Sequence, residues 1–364
     1  MNLIIYGAQA IALGAYEAIK TLYPSRPVSC FLVSSIEGNA PVLGGLPVRQ
    51  IAQFAAEMST EKKDNTEVLI ATPENLHTEI EKTLELYGFY CHQRLDSLRW
   101  AKLMQLFYVK TDIFRPLSAL PLGIHRAELM VYQAKFFRDK VLQCSYKLPE
   151  YLHPIQAGAA LTDIRVARIT DDTGEHISYK NGNYSELTAL YWVWRNILEK
   201  GASGAGSETK HYCGLAHYRR VLWFSDDDLL RLIDNDVDVV LPYPMPYEPD
   251  INVHHERYLK ELDWQGLQEA LKELHPEYEE AFEKILGQKY LYNYNVILAK
   301  ESVLRDYCAW LFPILERTEE LSVPKGSERA DRYIGYMGEL LETLYFMYHK
   351  DRLNIVFTGC RFLV

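Results

Sequence analysis

The chain has 364 residues, 48% of them apolar and 24% charged, which is the balance of a folded globular protein longer than one typical domain. A net charge of −10 argues against nucleic acid as a partner. Six scattered cysteines (30, 91, 144, 213, 308 and 360) with no C-x-x-C pair argue against a zinc site or disulfide framework and for a reducing cytoplasm. MNLIIYGAQAIALG lacks the basic start of a signal peptide, and no apolar run reaches the roughly 18 residues that span a bilayer.

Residues 2–6 read as a buried strand, Gly7 to Ala10 as a tight turn, and Ile11 to Leu22 as a helix. Strands follow at Val28–Ser34 and Thr66–Ala71, with a turn at Gly44–Val48 between them. Thr72-Pro73-Glu74 opens a helix ending near Gly88. Strand and helix signals in alternation predict a parallel sheet with crossover helices, a Rossmann-like domain over 1–95. The Gly7 turn departs from G-x-G-x-x-G at Gln9 and Ala12, and the second strand ends in Ser34-Ser35 where a ribose-binding acid belongs. VLIATPENLHTEI is similar to a strand and helix of sugar-oxidising NAD-dependent dehydrogenases and of Rossmann-like domains fused to sugar-modifying enzymes. The E-K-P that follows in those dehydrogenases is absent, so a structural or regulatory role is expected ahead of redox catalysis.

Residues 96–127 form a connector. Its stretch LRWAKLMQLFYVK, with Arg99, Lys102 and Lys110, is expected to pack as a helix between two domains; the alternative is peripheral contact with an anionic inner-membrane surface.

A second α/β unit spans 128–364. Leu129–Gln133 is a strand and Tyr151–Asp163 is turn-rich. Leu187, Leu190, Tyr191, Trp194 and Leu198 make one helical stripe, with Asn183 as its cap and Glu186 reaching back. Gly201–Ser207 is a flexible connection. The strand that follows ends in His217-Tyr218-Arg219-Arg220, and strand alternation puts His217 and Arg219 on one face and Arg220 on the other. Asp226 caps a short helix, Val237–Leu241 is a strand, and PYPMPYEPD stays extended as a cleft wall or lid. Trp264–Leu286 is helical with a break at His275-Pro276. Leu291–Ala299 is a strand, Glu301–Glu320 a helix interrupted at Pro313, Ala330–Lys350 a long helix, and Leu353–Phe357 a final strand.

From Glu128 onward the chain resembles a family of bacterial glycosyltransferase-like proteins of capsule and exopolysaccharide biosynthesis. HPIQAGAAL, DDTGEHIS, YSELTALYWVWRN, GLAHYRR, YNYNVILAKESVLRDYCAWLFPILE and RYIGYMGELLETL carry the resemblance, in one order. Glu175-His176 stands where the family more often has Asp-Asn, and Val296 where Met is usual. The resemblance implies a cytoplasmic enzyme, with a GT-A-like domain, that moves a hexose from a nucleotide-diphosphate sugar, UDP-linked, to a lipid-linked glycan of capsule, exopolysaccharide or O-antigen. The alternatives are an NAD-dependent sugar-nucleotide oxidoreductase or epimerase, and a non-catalytic scaffold for polysaccharide assembly.

The residues admit that chemistry. Ligands of open α/β sheets sit beyond the carboxyl ends of strands, where His217, Arg219 and Arg220 fall. GT-A enzymes place an Asp-x-Asp there to hold a divalent cation; guanidinium can grip a diphosphate directly, so a metal-independent transfer is expected. A surface ion pair with Asp226–Asp228 is the competing role for the arginines, and a structural histidine for His217. Asp171, Asp172 and Glu186 are further candidates for donor contacts. Asp331 and Glu339, eight apart and on one helical face around Gly335 and Gly338, are candidate catalytic carboxylates. Asn293 and Asn295, on one side of a strand, together with Tyr247 and His254, are candidates for the acceptor or sugar.

Overall fold

The computed structural model describes residues 2–202, 211–292 and 294–364. Two sheets organise them. The first contains β1 (Asn2–Tyr6), β2 (Val28–Val33), β3 (Val42–Leu43), β4 (Leu46–Gln50), β5 (Thr66–Ile70) and β6 (His92–Arg94), in the order β3-β4-β2-β1-β5-β6. All its pairs are parallel except the β3–β4 hairpin. That hairpin corrects the plain turn expected at Gly44–Val48: Gly44 and Gly45, at φ +58° and +79°, form the two-residue turn, and Leu46–Gln50 is a further strand. Gly7 is explained by packing. At φ +126°, a Cβ there would stand 2.5 Å from the Ala71 carbonyl oxygen, where β1 and β5 end side by side.

The rest of the chain supplies β7 (Glu128–Lys135), β8 (Leu152–Gln156), β9 (Ile169–Thr170), β10 (His211–His217), β11 (Arg220–Leu222), β12 (Val239–Pro242), β13 (Met245–Pro246), β14 (Tyr290–Leu291), β15 (Ile297–Lys300), β16 (Ile355–Thr358) and β17 (Cys360–Phe362). Seven of them form one sheet in the order β16-β12-β15-β10-β7-β8-β9, with β15 antiparallel to both neighbours. β11 pairs with β17, and β13 with β14. The architecture is α/β, a Rossmann-like parallel sheet followed by a GT-A-like one.

Several elements differ from the sequence reading for identifiable reasons. Tyr151–Asp163 contains β8, an interior strand despite Pro154. Ala157 N–H bonds toward β7 and Gln156 O toward β9, so Pro154 faces the β9 side, where β9 pairs only with residues 155 and 156. Its missing N–H therefore costs no ladder bond. The strand expected over Leu291–Ala299 breaks in two, because Tyr294 and Asn295 adopt φ +80° and +49°. Pro313 does not interrupt its helix, which runs from Glu301 to Leu321. Ser225, not Asp226, caps the short helix and shares a capping box with Asp228. Asn183 does not cap: it donates to Gly326 O at 2.6 Å and accepts from Asp331 N at 3.2 Å. The striped helix starts at Leu187 and widens into a π-turn over Trp194–Leu198. Most of Gly201–Ser207 lies outside the described residues.

One apolar core joins the two sheets. Helix Ser97–Thr111 buries Trp100, Met104, Phe107 and Tyr108 between them, and the Tyr108 hydroxyl donates to Pro244 O at 3.2 Å. Among the described residues no helix is long and apolar enough to cross a membrane.

Candidate functional site

Parallel strands β7, β8 and β10 end on one edge of the second sheet, at Lys135, Gln156 and His217. The segments beyond those ends, with the turn Asn181–Glu186 and residues 330–332 opposite, enclose an open cleft of about 660 Å³. Among the described residues, Lys135, Arg138, Arg219, Arg220 and Arg332 line it, against the acids Asp139 and Glu186. In a chain of net charge −10, the cleft concentrates positive charge.

His217 closes β10. Its Nε2 is buried without a hydrogen-bond partner, 3.5 Å from Glu186 Oε1, and burial pushes its pKa down. The chain then leaves strand geometry: Tyr218 and Arg219 form a bend, and Arg220 opens β11. Alternation therefore stops at His217, and both arginines line the cleft, which corrects the opposite-face expectation. β17 holds the bend, with Leu363 N–H bonded to Arg219 O at 2.8 Å. The Arg219 guanidinium lies 4.9 Å from the Tyr218 ring centre and 5.1 Å from that of Phe362, and its Nε has no partner. Arg220 stacks 4.1 Å from the centre of Tyr294. Tyr294 is a bulky residue at positive φ, and such local strain clusters at functional sites.

Glu186 faces the cleft from the other wall, its side chain 11% exposed, and Asn295 Nδ2 donates to its Oε1 at 2.7 Å. Glu339 stands behind this layer. Burial, and next the neighbouring Glu186, push its pKa up to about 8. Glu342 lies deeper; burial pushes its pKa well up, and among the described residues neither carboxyl oxygen has a hydrogen-bond partner.

The profile of a family described as a domain of unknown function (DUF4422) matches residues 141–351. The chain belongs to the DUF4422 family. The DUF4422 match contains His217, Arg219, Arg220, Glu186 and Glu339, whereas Lys135, Arg138 and Asp139 precede it. Among solved structures the chain is similar to the apo structure of WbbM, a bifunctional glycosyltransferase, with a TM-score of 0.53 and 24% identity. That likeness covers 65% of this chain and 45% of WbbM, so the chain spans less than half of its neighbour's length. No curated protein matches the chain.

Other residues singled out from the sequence stand away from the DUF4422 cleft. Asp171 is fully buried and accepts from Gly158 N, Ala159 N and Ser178 Oγ, so it anchors a loop instead of facing a donor. Asp172 pairs with Arg165. Asp331 precedes the helix Tyr333–Tyr348, with Arg332 at φ +66° between, so it shares no helical face with Glu339; Arg329 holds it. Gly335 and Gly338 admit protein: a Cβ on Gly338 would meet Leu187 at 2.7 Å and Asn295 at 2.8 Å. Asn295 is buried beneath Glu186, also bonded to Gly335 O at 3.1 Å, and presents nothing to the cleft. Asn293 lies outside the described residues. Tyr247 packs against the core, its N–H bonded to Lys289 O at 2.7 Å, and does not line the cleft; the backbone of His254 lies on the helix Asn252–Tyr258.

Asp139 was missed. It lines the cleft and takes the Phe136 N–H at 2.7 Å; burial pushes its pKa up to about 6, against the pull of nearby Arg219. Its signal was positional, four residues past the end of β7, as Arg219 is two past the end of β10.

Proposed function

We propose that the chain is a glycosyltransferase that moves a hexose from a nucleotide-diphosphate sugar, UDP-linked, to a lipid-linked glycan in capsule, exopolysaccharide or O-antigen synthesis. The observation that carries this reading is the set of cationic side chains around the cleft among the described residues: Lys135, Arg138, Arg219 and Arg220 at and beyond the carboxyl ends of β7 and β10 of a GT-A-like sheet, and Arg332 on the facing wall. A departing nucleoside diphosphate gains negative charge, and preorganised guanidinium groups lower the energy of that state. Arg219 and Arg220 take that role, each oriented by aromatic stacking. The transfer is metal-independent: Asp171 is spent on backbone donors, Asp228 on a helix cap, and Asp331 on Arg329.

The oxidoreductase alternative finds little support at the first sheet. The crevice beyond β1 and β5 is faced by Tyr243, Tyr294 and Phe362 of the second lobe, leaving about 80 Å³. Gln9, in the Gly7 turn, is bonded to Asn39 and Arg257.

The test is a panel of UDP-, GDP- and dTDP-hexoses, read by thermal shift and nucleotide release, with and without EDTA. One donor should bind and turn over in EDTA. R219A and R220A should each lower turnover about a hundredfold, or about 3 kcal/mol, with lysine restoring only part. Wild-type-like turnover in both folded alanine variants would refute the role of the arginines.

A further inference from the structure

Among the described residues two carboxylates reach the cleft, and their surroundings differ. Asp139 stands on the β7 side, fixed to the Phe136 N–H and beside Arg219, among the groups that would hold a diphosphate. Glu186 stands on the opposite wall. Asn295 pins its Oε1 at 2.7 Å; His217 Nε2, unpartnered, lies 3.5 Å from the same oxygen; and Ser185 next to it receives Arg332 Nε at 3.0 Å. Behind it lie Glu342, fully buried, and Glu339, half-buried.

This surplus of buried acid is unexplained by packing alone. Burying a carboxyl group costs free energy unless it is satisfied, and Glu342 has no hydrogen-bond partner among the described residues. The arrangement has a chemical use. Burial pushes the Glu342 and Glu339 carboxyls toward the neutral form, and neither lines the cleft. Of this layer of carboxyls it is Glu186 that lines the cleft, with Asn295 fixing one of its oxygens. Two groups of one type then serve two roles, separated by environment.

We propose that Glu186 is the catalytic base of the transfer, with Asn295 as its positioning residue. This rests on the transferase reading above. The acceptor hydroxyl oxygen attacks the anomeric carbon, the bond from that carbon to the diphosphate oxygen breaks, and its electron pair leaves with the nucleoside diphosphate. The hydroxyl proton passes to Glu186. Attack from the side opposite the leaving group inverts the anomeric centre, so an α-linked donor gives a β-linked product.

Azide separates this role from donor binding. Azide carries no proton, so its attack on the anomeric carbon needs no base, while it still needs the donor held and the diphosphate stabilised. The measurement is transfer from the nucleotide sugar that wild type turns over, to a sugar hydroxyl acceptor and to sodium azide, in wild type, E186Q, N295A and D139N. Titration of each variant with that donor's nucleoside diphosphate gives its affinity. E186Q should lose 10²- to 10⁴-fold in hydroxyl transfer, the range for general-base catalysis, with nucleotide affinity and azide transfer within threefold of wild type. The glycosyl azide should carry the inverted configuration. N295A should show the same selective loss in smaller degree. If hydroxyl and azide transfer fall together in E186Q, Glu186 holds the donor and the base assignment fails. If D139N alone shows the selective loss, the base is Asp139. A panel in which wild type releases no nucleotide overturns the transferase reading and this base with it, a result distinct from a wild type that turns over while E186Q behaves like it.

Discussion

Removing the Asp171 carboxylate should destabilise the protein more than any exposed acid would. The side chain is fully buried and accepts three hydrogen bonds: from Gly158 N at 2.9 Å, Ala159 N at 3.0 Å and Ser178 Oγ at 2.5 Å. Hydrogen bonds to a charged group contribute about 1.5–3 kcal/mol each, and a buried donor left unsatisfied costs about 1–3 kcal/mol. Water entering the vacated space offsets part of this, so D171A should cost about 3–5 kcal/mol. At about 2 °C per kcal/mol for a chain above 150 residues, its melting temperature should fall by roughly 6–10 °C. S178A removes one of the three bonds and should cost about 1 kcal/mol. The anchored loop supplies Ala157 and Leu161 to the cleft, so D171A should also weaken nucleotide binding, whereas S178A should scarcely change it. Thermal melts followed by circular dichroism, with nucleotide titration at a temperature where both variants are folded, test this. A D171A melt within 2 °C of wild type would show that the loop is held by something else.

Glu339→Gln should change the pH dependence of stability. Burial raises the Glu339 pKa from 4.5 to about 8, so across that window the folded chain keeps a proton that the unfolded chain has released, and stability falls as pH rises. The glutamine variant carries no such proton and should show a shallower fall in melting temperature between pH 5 and pH 8; an unchanged slope would count against a protonated Glu339. Gly338→Ala should destabilise by about 1–3 kcal/mol by overpacking, even though alanine favours a helix by about 1 kcal/mol, because its Cβ would press on Leu187 and Asn295. A urea titration giving a more stable variant would show that this contact relaxes freely.

What could be seen in the sequence was what depends on short-range pattern. Residues 2–6, 28–33 and 66–70 alternate with helices, and both the strand into His217 and the cationic residues after it could be placed from a dozen neighbours. What escaped depends on distant partners. β8 is a strand because β7 and β9 flank it, and nothing in YLHPIQ says so. Asn293 and Asn295 alternate like strand residues, yet Asn295 turns inward because Glu186, more than a hundred positions away, needs a donor. Asp331 and Glu339 suggested a pair by spacing, but the helix begins two residues after Asp331. Arg219 and Arg220 were recognised while their relation was not, because the bend between β10 and β11 is imposed by β17.

That last dependence sets an order of events during synthesis. The first sheet pairs strands that all emerge within the first hundred residues, so it can form while the remainder is still being made. The bend that aims Arg219 and Arg220 cannot be held until residues 360–363 are present to pair with it, about 140 positions later. A nascent chain can therefore carry every cationic group that lines the cleft among the described residues before the bend that aims two of them is held. Under the transferase reading proposed above, commitment to bind then waits for β17, and a growing polypeptide does not sequester a scarce nucleotide before the site can use it.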